Sequence, residues 1–418
     1  MQGRRLRIAL LAGACLVLGP PAPAVAISRS RLEAGLAKQM RGAGGASGAW
    51  VYDLDTNRDG LLFSWASKTP RALASNSKLF TTAAVLHRFG VDGRLATRLY
   101  PQPRSALHPH AIRGNLVIVG DGDPALASRG FARRNDLPLT PIGALAKKLR
   151  KEGIQRVLGK VEADDTVFDR KRGVPTTGVD AAGELSPLSG LSYDSGYDSS
   201  GYAHSPELRA ARALRAKLRN YGIRVRGGIS HGNLLQRALE RGPVAKVRSP
   251  EMSTLVTATN RPSNNFYAEM LLKRLGAGPS AKGTTGRGAS LAERFASKLG
   301  ASVRMENGSG LSRDNQASPK SVGHLLRAMS RRPEHLAFRR SLPLAGHQGT
   351  LAHRMRGSAA DGTCRAKTGT LHDVSALSGY CRAGHGMVAF SILMNSVDVS
   401  RAEAAQNRMV ALIAQYRR

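Results

Sequence analysis

The last quarter of the chain has the clearest pattern of hydrophobic and polar positions. Three strand-like runs cover residues 364–370, 375–381 and 387–394, and short segments containing His, Asp and Gly separate them. Runs of this length between turn residues are typical of a β-meander. Apolar residues then recur at helical spacing over residues 401–416. We therefore predict three antiparallel strands followed by a closing amphipathic helix.

The region before residue 95 contains both helical and strand-like spacing of apolar residues. Apolar residues recur at helical spacing over residues 32–40, whereas residues 50–56 and 61–65 alternate as strands on either side of a turn at residues 57–60. A further helix is predicted after Pro70, with apolar residues along one face. This region should therefore contain a helix, a hairpin and a second, buried helix.

Between residues 95 and 245 the predicted elements are mainly short strands and turns, with one clear helix. Buried strands are predicted at residues 115–119 and 159–168, and a helix at residues 207–220. The segment 183–204 is rich in Ser, Gly and Tyr, a composition that favours an ordered surface loop or a lip over a cleft. The length of 418 residues suggests two or three domains, and this stretch is the candidate for a separate one.

Residues 1–26 have the three parts of a secretory signal peptide. Arg4, Arg5 and Arg7 precede an apolar run over residues 8–18, and Ala-Val-Ala at residues 24–26 forms a small-residue cleavage site. The apolar run is too short to span a bilayer. We therefore expect a secreted protein of the periplasm or the cell-wall zone.

The remaining chain is strongly basic. Cleavage after residue 26 leaves 60 of the 63 Lys and Arg residues and all 29 acids, a formal net charge of +31. Export and the lack of a basic stripe interleaved with aromatic residues argue against nucleic acid as the partner. An electrostatic association with an anionic wall polymer or membrane surface stays open. The alternative is an Arg-rich composition spread over a solvated surface.

Ser75 and Lys78 are the first candidates for chemistry. Residues three apart project from one face of a helix, so the Ser75 hydroxyl and the Lys78 amine can come within hydrogen-bond reach. A neutral lysine could then take the serine proton, as acyl transfer requires. Chance is the alternative, because Ser-x-x-Lys is expected about once in a chain of this length.

Two further polar motifs follow. Ser263 and Asn265 form Ser-x-Asn at a loop-to-helix junction, and residues 367–369 form Lys-Thr-Gly on a predicted strand. Taken singly, each is more often a capping turn or an ordinary strand end. With Ser75 and Lys78 before them, in this order, they resemble the three-motif signature of penicillin-binding proteins and β-lactamases.

The sequences around the motifs narrow this resemblance. They are similar to the D-alanyl-D-alanine carboxypeptidase/endopeptidase family of low-molecular-mass penicillin-binding proteins, class C. The similar stretches are residues 74–84, 307–313, 349–351 and 366–371. The family implies an α+β transpeptidase fold, with an antiparallel sheet flanked by helices. We expect residues 27–95 and 246–418 to form this penicillin-binding domain and residues 96–245 to form an inserted mixed α/β domain.

The resemblance implies a role for each motif residue. Ser75 would attack the carbonyl between two D-alanines, Lys78 would be its base, and Ser263 would pass a proton toward the leaving amine. Substrate binding is implied for a second set of residues: Asn265, Lys367, Thr368, Gly369 and Thr370.

Lys367 has two implied tasks. It would hold the terminal carboxylate of the peptide or of a β-lactam, with hydroxyl bonds from Thr368 and Thr370. As a second cation it would also, together with burial, lower the pKa of Lys78. The backbone N–H groups of Ser75 and Thr370 would form the oxyanion hole.

Some positions depart from the family's usual residues. Asn264 stands where aspartate is frequent, and Asn307 and Gln348 stand where acidic residues are common. Because Asn264 lies between the two functional side chains of its motif, we expect activity to survive. The other two departures concern specificity rather than the reaction.

The two cysteines after residue 26 and two pairs of histidines are the remaining candidates for covalent links or metal binding. Cys381 lies on the strand expected to pair beside Cys364, so we predict a disulfide across that hairpin, with free buried thiols as the alternative. His108 with His110, and His347 with His353, lack the acidic neighbours and spacing of a zinc site. We therefore expect no metal and no cofactor.

The sequence thus predicts a serine-type D-Ala-D-Ala carboxypeptidase that acts on peptidoglycan stem peptides and is acylated by β-lactam antibiotics, and it leaves open an additional DD-endopeptidase activity. A serine β-lactamase is the first alternative, but no Glu-x-x-Leu-Asn signature of a deacylating base stands in the expected place. A non-catalytic cell-wall-binding protein is the second, and the intact motifs argue against it.

Overall fold

The computed structural model describes residues 26–56, 60–102, 107–174, 183–198, 201–233, 242–384 and 386–418. The predicted signal peptide, except for Ala26, and most of the predicted turn at residues 57–60 lie outside the described residues.

Most of the segments whose apolar residues recur at helical spacing form helices. The α-helices are α1 (Arg29–Ala43), α2 (Ser77–Phe89), α3 (Arg129–Arg134), α4 (Gly143–Lys151), α5 (Pro206–Asn220), α6 (Met252–Asn260), α7 (Asn265–Gly276), α8 (Thr285–Lys298), α9 (Pro319–Met329), α10 (His335–Ser341) and α11 (Val399–Gln415). Single 3₁₀ turns cover Ala74–Asn76, Asp194–Gly196 and Gly349–Leu351.

The strands fall into one long antiparallel sheet and several shorter sheets. They are β1 (Ala46–Asp53), β2 (Leu61–Trp65), β3 (Arg71–Ala72), β4 (Ala96–Pro101), β5 (Leu107–His108), β6 (Ala111–Ile112), β7 (Leu116–Val119), β8 (Leu126–Ala127), β9 (Thr140–Pro141), β10 (Arg156–Val157), β11 (Val161–Asp164), β12 (Tyr197–Asp198), β13 (Gly201–Tyr202), β14 (Arg224–Val225), β15 (Ile229–His231), β16 (Ala245–Arg248), β17 (Val303–Arg304), β18 (Gln316–Ala317), β19 (Cys364–Leu371), β20 (Val374–Ala383) and β21 (Gly386–Asn395).

The main sheet has five strands in the order β19-β20-β21-β1-β2. All of its neighbouring strands are antiparallel, so the predicted meander and the predicted hairpin belong to one sheet. The strand β19 is its edge; its first residues bond to residues 343–345, and the outer side of the strand beyond Ala366 is the part that an extended peptide can use. The predicted sheet and closing helix are thereby confirmed.

Helices cover both faces of the main sheet. Successive side chains of a strand point to opposite faces, and apolar residues on both faces are buried under these helices. On one face α1 and α11 pack together and bury a core that includes Leu36, Val51, Leu377 and Ile413. On the other face α2, α6, α7 and α9 enclose the larger core. The predicted α+β fold, with an antiparallel sheet between helical layers, is confirmed.

The middle of the chain forms a mixed sheet of its own. Its order is β15-β11-β7-β4-β16, with parallel pairing among β15, β11 and β7 and antiparallel pairing of β4 to both of its neighbours. The helices α4 and α5 pack beside it, and the apolar side chains between them form a separate core. Because β16 spans Ala245–Arg248, the expected boundary after residue 245 falls within a strand that pairs with β4.

Candidate active site

Ser75 lies in the 3₁₀ turn Ala74–Asn76, immediately before α2. The sequence placed it at the start of a helix, but the α-helix begins two residues later. The reason is that Ala74 has a φ of 45°, which turns the backbone sharply at this point. Ser75 therefore stands on a bend between β3 and a buried helix.

Lys78 contacts Ser75 directly. Its Nζ lies 2.8 Å from Ser75 Oγ, 2.7 Å from Asn265 Oδ1 and 2.7 Å from the carbonyl oxygen of Ser309. A neutral amine can donate to the two acceptors and accept a hydrogen bond from the serine hydroxyl. The expected pairing of Ser75 with Lys78 is thus present, and both other contacts hold the amine in place.

Burial sets the protonation of Lys78. The side chain is fully buried, and desolvation lowers its pKa to about 7, although the carboxylates of Glu269 and Glu184 partly oppose this shift. A substantial fraction of Lys78 is therefore neutral near pH 7. The sequence assigned part of this effect to Lys367, but burial is what lowers the pKa of Lys78, and Lys367 is not among the causes of the shift.

The second lysine is perturbed in the same direction. Burial, and then repulsion from Lys78, lower the pKa of Lys367 well below its usual value. Its Nζ lies 2.9 Å from Ser263 Oγ and 2.8 Å from the carbonyl oxygen of Thr368. Ser263 has a φ of 63°, an uncommon conformation for serine that points to constraint by its surroundings.

Two hydroxyl groups extend the site along β19. Thr368 Oγ1 lies 2.7 Å from Thr350 Oγ1, which belongs to the 3₁₀ turn Gly349–Leu351. Thr370 is exposed farther along the same strand. Thr350 was part of a similar stretch in the sequence, but its contact with Thr368 was not foreseen.

Gly369 allows β19 to approach the Ser75 turn closely. A Cβ atom on Gly369 would lie 2.8 Å from the Leu73 carbonyl oxygen and 3.0 Å from Ser75 N. The Asn76 side chain fixes the same contact by donating to the Lys367 carbonyl oxygen over 3.1 Å. The backbone N–H groups of the turn and of the strand edge are thereby brought together.

Asn265 connects the site to the middle of the chain. Its Nδ2 donates to Glu184, over 3.1 Å to Oε2 and 3.2 Å to the carbonyl oxygen. Glu184 is exposed on the segment 183–198, which borders a cleft of about 730 Å³ next to Ser263. The described part of the predicted lip therefore lies at the entrance to the site.

Glu269 is a component of the site that the sequence reasoning missed. This buried carboxylate accepts hydrogen bonds from Ser309 N over 2.7 Å and from Gly308 N over 3.1 Å. It thus holds the loop whose carbonyl oxygen contacts Lys78. The available signal was its position on α7, one turn after Asn265 and among apolar residues.

A disulfide joins Cys364 and Cys381, which lie directly opposite each other in β19 and β20. It closes the hairpin three residues before Lys367. Within the described residues, no group of three His, Cys, Asp or Glu side chains is arranged to hold a metal ion. None of the described helices is long and apolar enough to cross a membrane.

The antiparallel sheet, the Ser75 turn and the two buried lysines define a class of protein: a serine enzyme of the penicillin-binding fold. Solved structures agree on the fold. Penicillin binding protein 4 of Haemophilus influenzae superposes with a TM-score of 0.73 at 19% identity, covering 90% of this chain and 97% of its own. The endopeptidase Bd3459 of Bdellovibrio bacteriovorus gives a TM-score of 0.53 at 18% identity, covering 86% and 90%.

Sequence comparison gives the family. A model of the D-Ala-D-Ala carboxypeptidase 3 (S13) family matches residues 30–198 and 190–416. The D-alanyl-D-alanine carboxypeptidase of Actinomadura sp. (strain R39) is 29% identical, covering 89% of this chain and 82% of the relative. Carboxypeptidase DacB of Mycolicibacterium smegmatis is 27% identical, covering 83% and 75%. The chain belongs to the S13 family and is a serine-type carboxypeptidase.

Proposed function

We propose that Ser75 is the nucleophile and Lys78 the general base of a D-Ala-D-Ala carboxypeptidase that trims peptidoglycan stem peptides. The observation that carries the proposal is the 2.8 Å contact between Lys78 Nζ and Ser75 Oγ. Its chemical meaning comes from burial, which lowers the pKa of that amine to about 7 and makes it a base at neutral pH.

Acylation begins when Ser75 Oγ attacks the carbonyl carbon between the two D-alanines. The hydroxyl proton passes to Lys78, and the oxyanion is held by the N–H groups of Ser75 and Thr370. Breakdown of the tetrahedral intermediate breaks the peptide bond and leaves the acyl group on Ser75. The proton that Lys78 took from Ser75 is relayed through the hydroxyl of Ser263, which is hydrogen-bonded to Lys367, to the departing D-alanine amine, so that Lys78 is neutral again. Water then hydrolyses the ester and regenerates Ser75.

Substrate binding uses the groups beside this path. Lys367, Thr368 and Thr370 receive the terminal carboxylate, and the Gly369 backbone leaves room for the strand to lie against the Ser75 turn. The Asn265 amide, which donates to Glu184, is the donor for the substrate's peptide carbonyl. An extended peptide would lie along the edge of β19 beyond Ala366.

The same chemistry extends to two further ligands. An endopeptidase reaction on cross-linked peptides needs only a larger leaving amine at the same bond, and the cleft of about 730 Å³ beside Ser263 offers space for it. β-Lactams acylate the serine through their strained amide. Family membership supports both, because its members act on D-alanyl peptides and a relative of this fold was solved in complex with a β-lactam.

The domain division and the location are further parts of the proposal. We assign residues 27–95 and 246–418 to the catalytic domain and residues 96–245 to an inserted domain, supported by the separate core of the latter; the strand β16, which crosses the boundary at residue 245, pairs with β4 of the inserted domain. A cell-wall substrate requires a location outside the cytoplasm, and we place the enzyme in the periplasm or wall zone after cleavage of residues 1–26. The net charge of +31 would favour association with anionic wall polymer or membrane surface.

The test is labelling with fluorescent penicillin. The wild-type protein should form a long-lived covalent adduct, and Ser75→Ala should form none. Ser77→Ala is the matched control, because Ser77 is the buried first residue of α2 and its hydroxyl donates, among the described residues, only to the Ala74 carbonyl oxygen, over 2.9 Å. Labelling of Ser75→Ala would overturn the assignment. Rapid turnover of the adduct would instead favour a serine β-lactamase.

A further inference from the structure

A second cleft, of about 370 Å³, lies between α10 and the end of the main sheet that carries the disulfide. Four arginines line it: Arg339, Arg340, Arg365 and Arg382. They come from three elements, since two lie on α10, one on β19 and one on β20. A single helix face or a run of basic sequence therefore does not account for the cluster.

The arginines of this cleft lack acidic partners. Among the described residues, no carboxylate lies within the 4.0 Å salt-bridge distance of any of the four. Arg365 instead donates to two neutral oxygens at 3.0 Å, the Leu342 carbonyl and Gln348 Oε1. Both acceptors are uncharged, so neither neutralises the guanidinium of Arg365.

The positive charges of the cleft lie close enough together to repel one another. Burial lowers the pKa of Arg365, and repulsion from Arg261, Arg339 and Arg340 lowers it further. Arg339 Nε is also buried without a hydrogen-bond partner in the described part of the chain. Like charges held together at a partly buried position repel one another, and a bound anion would relieve that repulsion.

We propose that this cleft binds a phosphoryl group. Guanidinium groups present planar pairs of N–H donors that match phosphate oxygens, and four of them offer more donors than one carboxylate can use. The ligand chemistry is a phosphate mono- or diester, supplied either by a soluble phosphate compound or by a phospholipid headgroup. The cleft is separate from catalysis, because the proposed reaction uses none of these arginines.

The experiment measures pyrophosphate binding to the purified protein by titration calorimetry at fixed, low ionic strength. In the variant Arg340→Ala/Arg382→Ala, both truncated side chains are exposed, so folding should be kept. The control is Arg212→Ala/Arg219→Ala, which removes the same charge from exposed positions on α5. Acylation by fluorescent penicillin should be equal in all three proteins, which separates this test from that of the proposed function.

We expect one pyrophosphate per protein, with affinity weakened about tenfold or more in the cleft variant and unchanged in the control. Equal weakening in both variants would show general attraction to a basic surface and overturn the proposal, as would the absence of binding to the wild-type protein. Vesicles containing phosphatidylglycerol decide the source. If the cleft variant loses vesicle binding that the control retains, the ligand is a headgroup; if only pyrophosphate binding is lost, it is a soluble phosphate.

Discussion

Replacing Gly369 by alanine should slow acylation while leaving the protein folded. The added Cβ would lie 2.8 Å from the Leu73 carbonyl oxygen, 3.0 Å from Ser75 N and 3.1 Å from Asn76 N. All three neighbours are backbone atoms of one tight turn, so none can rotate away. Since favourable contacts lie near 3.5 Å or beyond, β19 and the turn must separate by roughly 0.5 Å.

The size of the effect follows from what this displacement moves. It shifts the N–H of Thr370 relative to Ser75, and with it one of the two proposed oxyanion donors. Loss of one such donor costs about a hundredfold to a thousandfold in rate, or roughly 3–4 kcal/mol of transition-state stabilisation. Overpacking should cost only about 1–3 kcal/mol of stability, so the variant should still fold.

The assay is the second-order rate of acylation by fluorescent penicillin, with thermal unfolding as the check on folding. Gly286→Ala is the matched control, because a Cβ on this α8 residue meets no atom within 4 Å. It should acylate at the wild-type rate and gain about 0.5–1 kcal/mol of stability, since alanine is the better helix former. A folded Gly369→Ala protein that acylates as fast as the wild type would refute the role of this close approach.

Three further predictions concern charge and the disulfide. Acylation should accelerate as pH rises through about 7, because Lys78 accepts a proton only when neutral and burial lowers its pKa to about 7; a rate that is flat between roughly pH 5 and 9 would contradict this. In Glu184→Gln, which loses a carboxylate that raises the Lys78 pKa, the midpoint of the same profile should move to lower pH, and a shift upward would count against the assignment. The double variant Cys364→Ala/Cys381→Ala should lose about 3 kcal/mol, as expected for a link across a sequence separation of 17; an unchanged melting temperature would show that the link adds nothing.

The strand and helix patterns of the sequence were sufficient to predict the main elements of the proposed catalytic domain. The period of the last quarter predicted β19 to β21 and α11 because each strand has a well-defined core face and short turns join neighbours. The middle region was harder. Its strands are mostly two to four residues long, as in β10 and β14, and such segments are defined by pairing with distant partners rather than by local pattern.

The site was predictable to the extent that its chemistry is written in short motifs. Ser75, Lys78, Ser263 and Lys367 were all found in this way, and the structure brings them into two hydrogen-bonded pairs. The contacts of residues outside the motifs could not be predicted from the sequence, because they depend on distances in the folded protein. Glu269 belongs to no motif, and its effect on Lys78 becomes visible only when α7 is placed beside α2.

The two buried lysines explain why this site depends on more than its motifs. Each motif lysine is ordinarily charged, yet both are fully buried, and repulsion between them makes the doubly protonated state unfavourable. Glu269 and Glu184 act in the opposite direction on Lys78, so its pKa reaches about 7 instead of a lower value. A lysine with a much lower pKa would be neutral but too weak a base for a serine proton, whereas one near its usual value would be protonated. The surrounding carboxylates therefore adjust the pKa of the proposed base to neutral pH, and the Ser-x-x-Lys motif alone does not contain that information.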